Sequence, residues 1–253
     1  MAFVQCNGIN LNLQKLGDGP QVVMCHGLVF GSIATWYFTA AATLAARFEV
    51  ILYDQRGHGK SEVAASGYDL DTLTSDLDCV VRHFHKADSS EGIALVGHSY
   101  GALVALNYAL QHPGQVTKLV LIDAPLPASR YVYPSMSQVN TREALEQCIP
   151  DEIKQKTMRG SRSASRMQER MEFLFLKSTL RQDVRDAVDI EDERLQKLDI
   201  PVLCLYGRNS DCLDAGVRLA AVLPNAKLEL LDCGHYIPLE APQEMTSQLD
   251  QFL

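Results

Sequence analysis

The chain has 253 residues, a formal net charge of −8, 47% hydrophobic and 21% charged residues. That length allows one or two domains with a sizeable core, and the acidic balance speaks against nucleic acid as a partner, since phosphate binding needs a basic footprint. The first sixteen residues lack the basic start and unbroken apolar run of a signal peptide, no stretch is long and apolar enough to span a bilayer, and the seven cysteines show no CxxC spacing; together these predict a cytoplasmic chain with reduced, mostly buried thiols and no membrane partner.

In chain order, short β-branched and aliphatic runs predict strands at 3–6, 11–16, 22–25, 50–53, 93–96, 118–122, 202–206 and 227–231. The first two read as a hairpin turning at Asn7-Gly8, a dipeptide suited to positive φ. The later runs are continuously apolar, as in strands covered on both faces of a parallel sheet. Amphipathic segments at 32–46, 69–85, 99–111, 211–223 and 242–252 predict helices between them. Strand and helix in alternation imply an α/β fold with a mainly parallel eight-stranded sheet flanked by helices.

Residues 125–198 interrupt that alternation with helical pattern only. Asn140 and Glu143 form a possible capping box, Pro150 suits a first helical turn, and Met167, Met171, Leu174 and Phe175 recur at helical spacing. This is an all-helical insertion after the sixth strand, within a single domain spanning 1–253. Its Lys154, Lys156, Arg159, Arg162, Arg166 and Arg170, opposed locally by Glu169, read first as a solvated helix face. The sharper alternative is a docking patch for an anionic substrate or an acidic acyl carrier protein.

The most informative segment is Ile93-Ala94-Leu95-Val96-Gly97-His98-Ser99-Tyr100-Gly101-Ala102. An apolar strand runs into Gly-x-Ser-x-Gly, and a helical pattern follows at once, the arrangement that exposes a nucleophilic serine at a strand tip. The Tyr100 N–H then lies at a helix N-terminus, where the dipole favours an oxyanion. Three further motifs are Cys25-His26-Gly27-Leu28 after the third strand, Asp54-Gln55-Arg56-Gly57-His58-Gly59-Lys60-Ser61 after the fourth, and Asp232-Cys233-Gly234-His235 after the last.

In these motifs and their order the chain resembles the capped α/β-hydrolase superfamily along nearly its whole length. The resemblance implies Ser99 as nucleophile, His235 as general base, and backbone N–H groups of Leu28 and Tyr100 as the oxyanion hole. It places the acid after the seventh strand, at Asp211, with Asp214 and, at the end of the sixth strand, Asp123 as rivals. His26, Asp54 and His58 belong to structural turns. The insertion becomes a lid, with Tyr131, Tyr133, Met136, Phe173 and Phe175 as candidate lining of an apolar substrate pocket.

Other patterns are set aside. Cys79 and His83 share a helix face but His85 does not, so no metal site is expected. The turn at Gly57 and Gly59 lacks the ending of a phosphate loop. The expected activity is hydrolysis of an ester, thioester or lactone of a small, mainly apolar acyl substrate through an acyl-enzyme, without a cofactor. The alternative is the same scaffold reassigned as a ligand receptor, lyase, cyclase or carbon–carbon bond hydrolase.

Overall fold

The computed structural model describes residues 2–84, 92–149 and 162–253. Eight strands, β1 (Ala2–Cys6), β2 (Ile9–Leu16), β3 (Gln21–Cys25), β4 (Glu49–Tyr53), β5 (Ile93–His98), β6 (Val116–Ile122), β7 (Val202–Gly207) and β8 (Ala226–Leu231), form one sheet in the order β1-β2-β4-β3-β5-β6-β7-β8. The β1–β2 hairpin joins antiparallel to β4, and every later pairing is parallel. Asn7 and Gly8 both take positive φ, 49° and 79°, as the hairpin turn requires.

Alternate residues of each strand enter opposite cores, the period-two rule at work. Val22, Met24, Val50, Leu52 and Val96 pack with Trp36, Leu44, Met245 and Leu249 on one face. Val23, Cys25, Ile51, Tyr53 and Leu95 pack with Leu73, Leu77, Leu103 and Leu106 on the other. With both faces covered, β4, β5 and β7 are buried along their whole length, which is why their sequences are unbroken apolar runs.

The helices expected near 70–84, 100–111, 213–222 and 242–252 are present. The segment 32–46 forms two short helices instead, Ile33–Tyr37 and Ala41–Leu44. At the break, the Thr39 hydroxyl donates to the Thr35 carbonyl at 2.7 Å, and its N–H turns to Trp36 O at 3.1 Å. A side chain competing with its own backbone ends the first helix there.

Between β6 and β7 the described residues are helical or irregular, with helices Ala128–Tyr131, Tyr133–Ser137, Arg142–Cys148, Arg162–Leu176, Leu180–Arg185 and Asp192–Leu195. The cap of Arg142–Cys148 is Thr141, one residue beyond the expected Asn140: its extended backbone lets the Thr141 hydroxyl accept the Ala144 N–H at 3.1 Å. This segment is tied down at several points. Arg170 donates to the Gly57 and Ser61 carbonyls, Thr179 N–H to Ala65 O, and Asp183 accepts the Tyr68 N–H. Pro150, Lys154, Lys156 and Arg159 lie outside the described residues.

The cysteines bring a correction. Cys6, at the end of β1, is disulfide-bonded to Cys79 on helix Leu70–Phe84, with Cα atoms 5.8 Å apart, inside the range a disulfide spans. The reduced state expected for every thiol therefore does not hold for this pair. Cys25, Cys204, Cys212 and Cys233 are free and buried. No helix among the described residues is long and apolar enough to cross a membrane.

Candidate active site

β5 delivers Ser99. The strand ends at His98, and Ser99 takes φ 53° and ψ −128° before helix Tyr100–Gln111 begins. Such backbone is costly for a residue with a Cβ and marks a turn the surroundings enforce. The enforcement is visible at the two flanking glycines: a Cβ on Gly97 would lie 2.4 Å from Gly101 O, and one on Gly101 2.3 Å from His26 O. Only glycine fits at either place, so the helix starts hard against the strand and the serine side chain is left at the tip.

Ser99 Oγ is 2.9 Å from His235 Nε2, and His235 Nδ1 is 2.5 Å from Asp123 Oδ2. The serine and histidine assigned from sequence are thus brought together. The acid is corrected. Asp211 is exposed and makes no bond to His235, and Asp214 is an exposed residue of helix Leu213–Val222. Asp123, the rival from the sixth strand, is completely buried. It also has positive φ, 48°, so its chain turns off β6 much as Ser99 turns off β5.

The physical reason lies in the loop after β7. Ser210 turns inward there, its hydroxyl donating to Asp123 Oδ2 at 2.5 Å and accepting the Cys212 N–H at 3.1 Å. The next residue, Asp211, is thereby pointed to solvent. Gly207 N–H donates to Asp123 Oδ1 at 3.0 Å. With His235 Nδ1, three donors therefore meet on this one buried carboxylate.

His235 is held from both sides. Glu240 accepts the Gly234 N–H at 2.6 Å and the Tyr236 N–H at 3.0 Å, bracketing the histidine. His98 Nε2 donates to the His235 carbonyl at 2.9 Å. Burial pushes the His98 imidazole down to about 4, so it is neutral and keeps that single donor role. Sequence reading assigned no role to Glu240 or His98. The signal for Glu240 was its place five residues after His235, where a carboxylate can reach back to both N–H groups.

Leu28 and Tyr100 line the same cavity as Ser99. Tyr100 opens its helix, so its N–H has no intrahelical acceptor. The Leu28 loop is fixed by two buried histidines. His26 Nδ1 donates to Gly27 O at 2.8 Å while Nε2 accepts the Gln55 N–H at 2.9 Å. His58 Nδ1 donates to Arg56 O at 2.7 Å while Nε2 accepts the Val29 N–H at 2.8 Å. Burial lowers both imidazoles, His58 to about 3, and the neutral ring is the form these bonds need. Asp54 accepts the Ile33 and Lys60 N–H groups, so this turn is structural, as its glycines suggested.

The cavity holds about 820 Å³, within the range of small-molecule sites. Of the five expected lining residues, Tyr131, Met136 and Phe175 border it; Tyr133 and Phe173 do not. Phe173 is two residues from Phe175 and so faces away on the same helix. Val132, Val139 and Leu145 line the cavity without having been singled out, and so does Met167, which was read only as part of a helical repeat.

Among the described residues, one group of three could offer ligand atoms to a metal: Asp123, Cys212 and His235, within 4.8 Å of one another. The His235–Asp123 hydrogen bond already uses two of those atoms. Cys79 is spent in its disulfide, and His85 lies outside the described residues.

The family model for serine aminopeptidase, S33, matches residues 19–221. Non-heme chloroperoxidase CPO-A1 of Kitasatospora aureofaciens is 28% identical over 247 residues, 89% of this chain and 88% of that protein. The enol-lactonase from Burkholderia xenovorans LB400 superposes with a TM-score of 0.80 at 18% identity, covering 99% of both chains. The esterase RhEst1 from Rhodococcus sp. ECU1013 does so with 0.76 at 26% identity, covering 99% of this chain and 96% of that one. The chain belongs to the serine aminopeptidase, S33, family of hydrolases, built on the α/β-hydrolase fold.

Proposed function

We propose that the protein hydrolyses an ester or lactone of a small, mainly apolar acyl compound through an acyl-enzyme on Ser99. The observation that carries this reading is the unbroken hydrogen-bonded line from Ser99 Oγ through His235 to Asp123, ending in an 820 Å³ cavity. A serine hydroxyl is a weak nucleophile until a positioned base takes its proton. His235 Nε2 takes it as Ser99 attacks the carbonyl. Asp123, accepting from Nδ1, fixes the tautomer and stabilises the imidazolium. The Leu28 and Tyr100 N–H groups receive the oxyanion. His235 then protonates the leaving oxygen and activates water for deacylation. The helices between β6 and β7 act as the lid that supplies the apolar wall.

The test is a series of p-nitrophenyl esters of rising acyl length, with a fluorophosphonate probe alongside. The wild type should turn over the series, and the probe should label Ser99 alone. Ser99→Ala should abolish labelling and lower kcat by about 10³-fold or more. Labelling that survives in Ser99→Ala overturns the assignment, and binding of esters without turnover favours a receptor.

A further inference from the structure

A second cavity, of about 490 Å³, lies beside the first and shares with it Phe30, Gly31, Ser32, Ala34 and Met167. Its chemistry is different. Lys60, Arg166 and Arg170 line it, and among the described residues Asp54 is the only acidic one on its wall. Asp54 is turned inward: Oδ1 accepts the Ile33 N–H at 2.7 Å, and Oδ2 accepts Asn12 Nδ2 and the Lys60 N–H, each at 2.8 Å. Arg170 uses one terminal nitrogen, Nη1, on the Gly57 and Ser61 carbonyls at 3.2 and 2.7 Å. Its Nε and Nη2 donate to nothing among the described residues, and Arg166 has no ion pair or hydrogen bond among them. Two guanidinium groups one helical turn apart therefore face a concave space with unspent donors, in a chain of net charge −8.

Resting on the hydrolase reading above, we propose that this cavity seats an anionic end group of the substrate, a carboxylate or a phosphate, with Arg166 and Arg170 as its ligands. Guanidinium forks match both anions bidentately. The shared wall puts the seat next to the cavity that contains Ser99, so one molecule would place its ester at Ser99 and its charge at the arginines. The volume fits a small molecule. The preferred substrate is then an ester or lactone with a charged terminus, its apolar chain lying between the two ends.

The experiment compares mono-p-nitrophenyl suberate with the p-nitrophenyl ester of the same acid carrying a terminal methyl ester, and with an analogue ending in phosphate. A charge-assisted hydrogen bond contributes enough to make kcat/KM about tenfold higher for an anionic ester than for the neutral one. Arg166→Gln, which breaks no described bond, should remove at least about fivefold of that preference through KM and leave the neutral ester unchanged; Arg166→Lys should keep part of it. Arg170→Gln also releases two backbone carbonyls, so the neutral ester is its control. Either anion supports the seat, and the larger gain names its chemistry. Equal rates for charged and neutral esters, or an equal loss on both in Arg166→Gln, overturns it. If no ester is turned over, the hydrolase reading falls, and calorimetry with suberate still decides the seat: binding to wild type at least about fivefold tighter than to Arg166→Gln supports it, and equal or absent binding refutes it.

Discussion

The loops that follow β6 and β7 each carry an aspartate, Asp123 and Asp211, and they differ in how the backbone leaves the strand. After β6, Asp123 turns at once with φ 48° and stays completely buried. After β7, the chain runs on through Arg208 and Asn209, turns Ser210 inward, and leaves Asp211 in solvent. The strand ladder carries on into both strained residues: Ser99 N–H bonds Ile122 O at 2.8 Å, and Asp123 N–H bonds Leu205 O at 2.9 Å. Ser99 and Asp123 are thus the first residues off two neighbouring strands, held by the same sheet. The end of β7 gives Asp123 an N–H, from Gly207, and the loop after it a hydroxyl, from Ser210. A site at the carboxyl ends of parallel strands draws its precision from the sheet, and the shorter path off the strand gives the better-fixed side chain.

That contrast can be sharpened from the β7 side. Ser210→Ala removes a donor from a buried carboxylate, a loss of about 1–3 kcal/mol. With the β7 loop in a supporting role, kcat on a p-nitrophenyl ester should fall about tenfold while the far-ultraviolet circular dichroism is unchanged. An unaltered kcat would show that the β7 loop does not support the acid. Tyr206→Phe is the milder break. The Tyr206 hydroxyl donates to Ala124 O at 2.9 Å, next to Asp123; that carbonyl also accepts the Leu126 N–H at 3.1 Å, so the substitution removes one of its two bonds, a loss of about 0.5–1.5 kcal/mol. Thermal unfolding should show Tm lower by about 1–6 °C, with kcat changed by less than that in Ser210→Ala. A larger kcat effect than Ser210→Ala would mean that the backbone after β6, and not the hydroxyl on Asp123, sets the acid.

The same contrast marks what the amino-acid sequence could show. The strands were legible because burial on both faces leaves an unbroken apolar run, and Ser99 because strand, glycine, serine, glycine and helix all fall within ten residues. His235 was legible from its place after the last strand. Asp123 was not preferred because the signal that distinguishes it, a positive φ at the residue after β6, has no dedicated residue type; aspartate tolerates it without advertising it. The inward turn of Ser210 depends on a carboxylate 87 residues earlier in the chain. The Cys6–Cys79 bond spans 73 residues and follows from the hairpin docking on helix Leu70–Phe84, a tertiary fact that spacing alone does not encode. Of the candidate lining residues in the insertion, Tyr131, Met136 and Phe175 reach the cavity wall, but Phe173 could not be separated from them without the helix's rotation.

The central claim is that Asp123, and not Asp211, makes His235 a base for Ser99. It is tested most directly by the rate of fluorophosphonate labelling in Asp123→Asn and Asp211→Asn, which needs no knowledge of the natural substrate. An asparagine keeps the shape but removes the charge and can hold the wrong histidine tautomer; in the serine-protease precedent this costs about 10⁴-fold in kcat. Labelling of Ser99 should therefore slow by about three to four orders of magnitude in Asp123→Asn and by less than about threefold in Asp211→Asn, both variants keeping wild-type circular dichroism. Slow labelling in Asp211→Asn with near-normal labelling in Asp123→Asn would contradict the account and return the acid to the β7 loop.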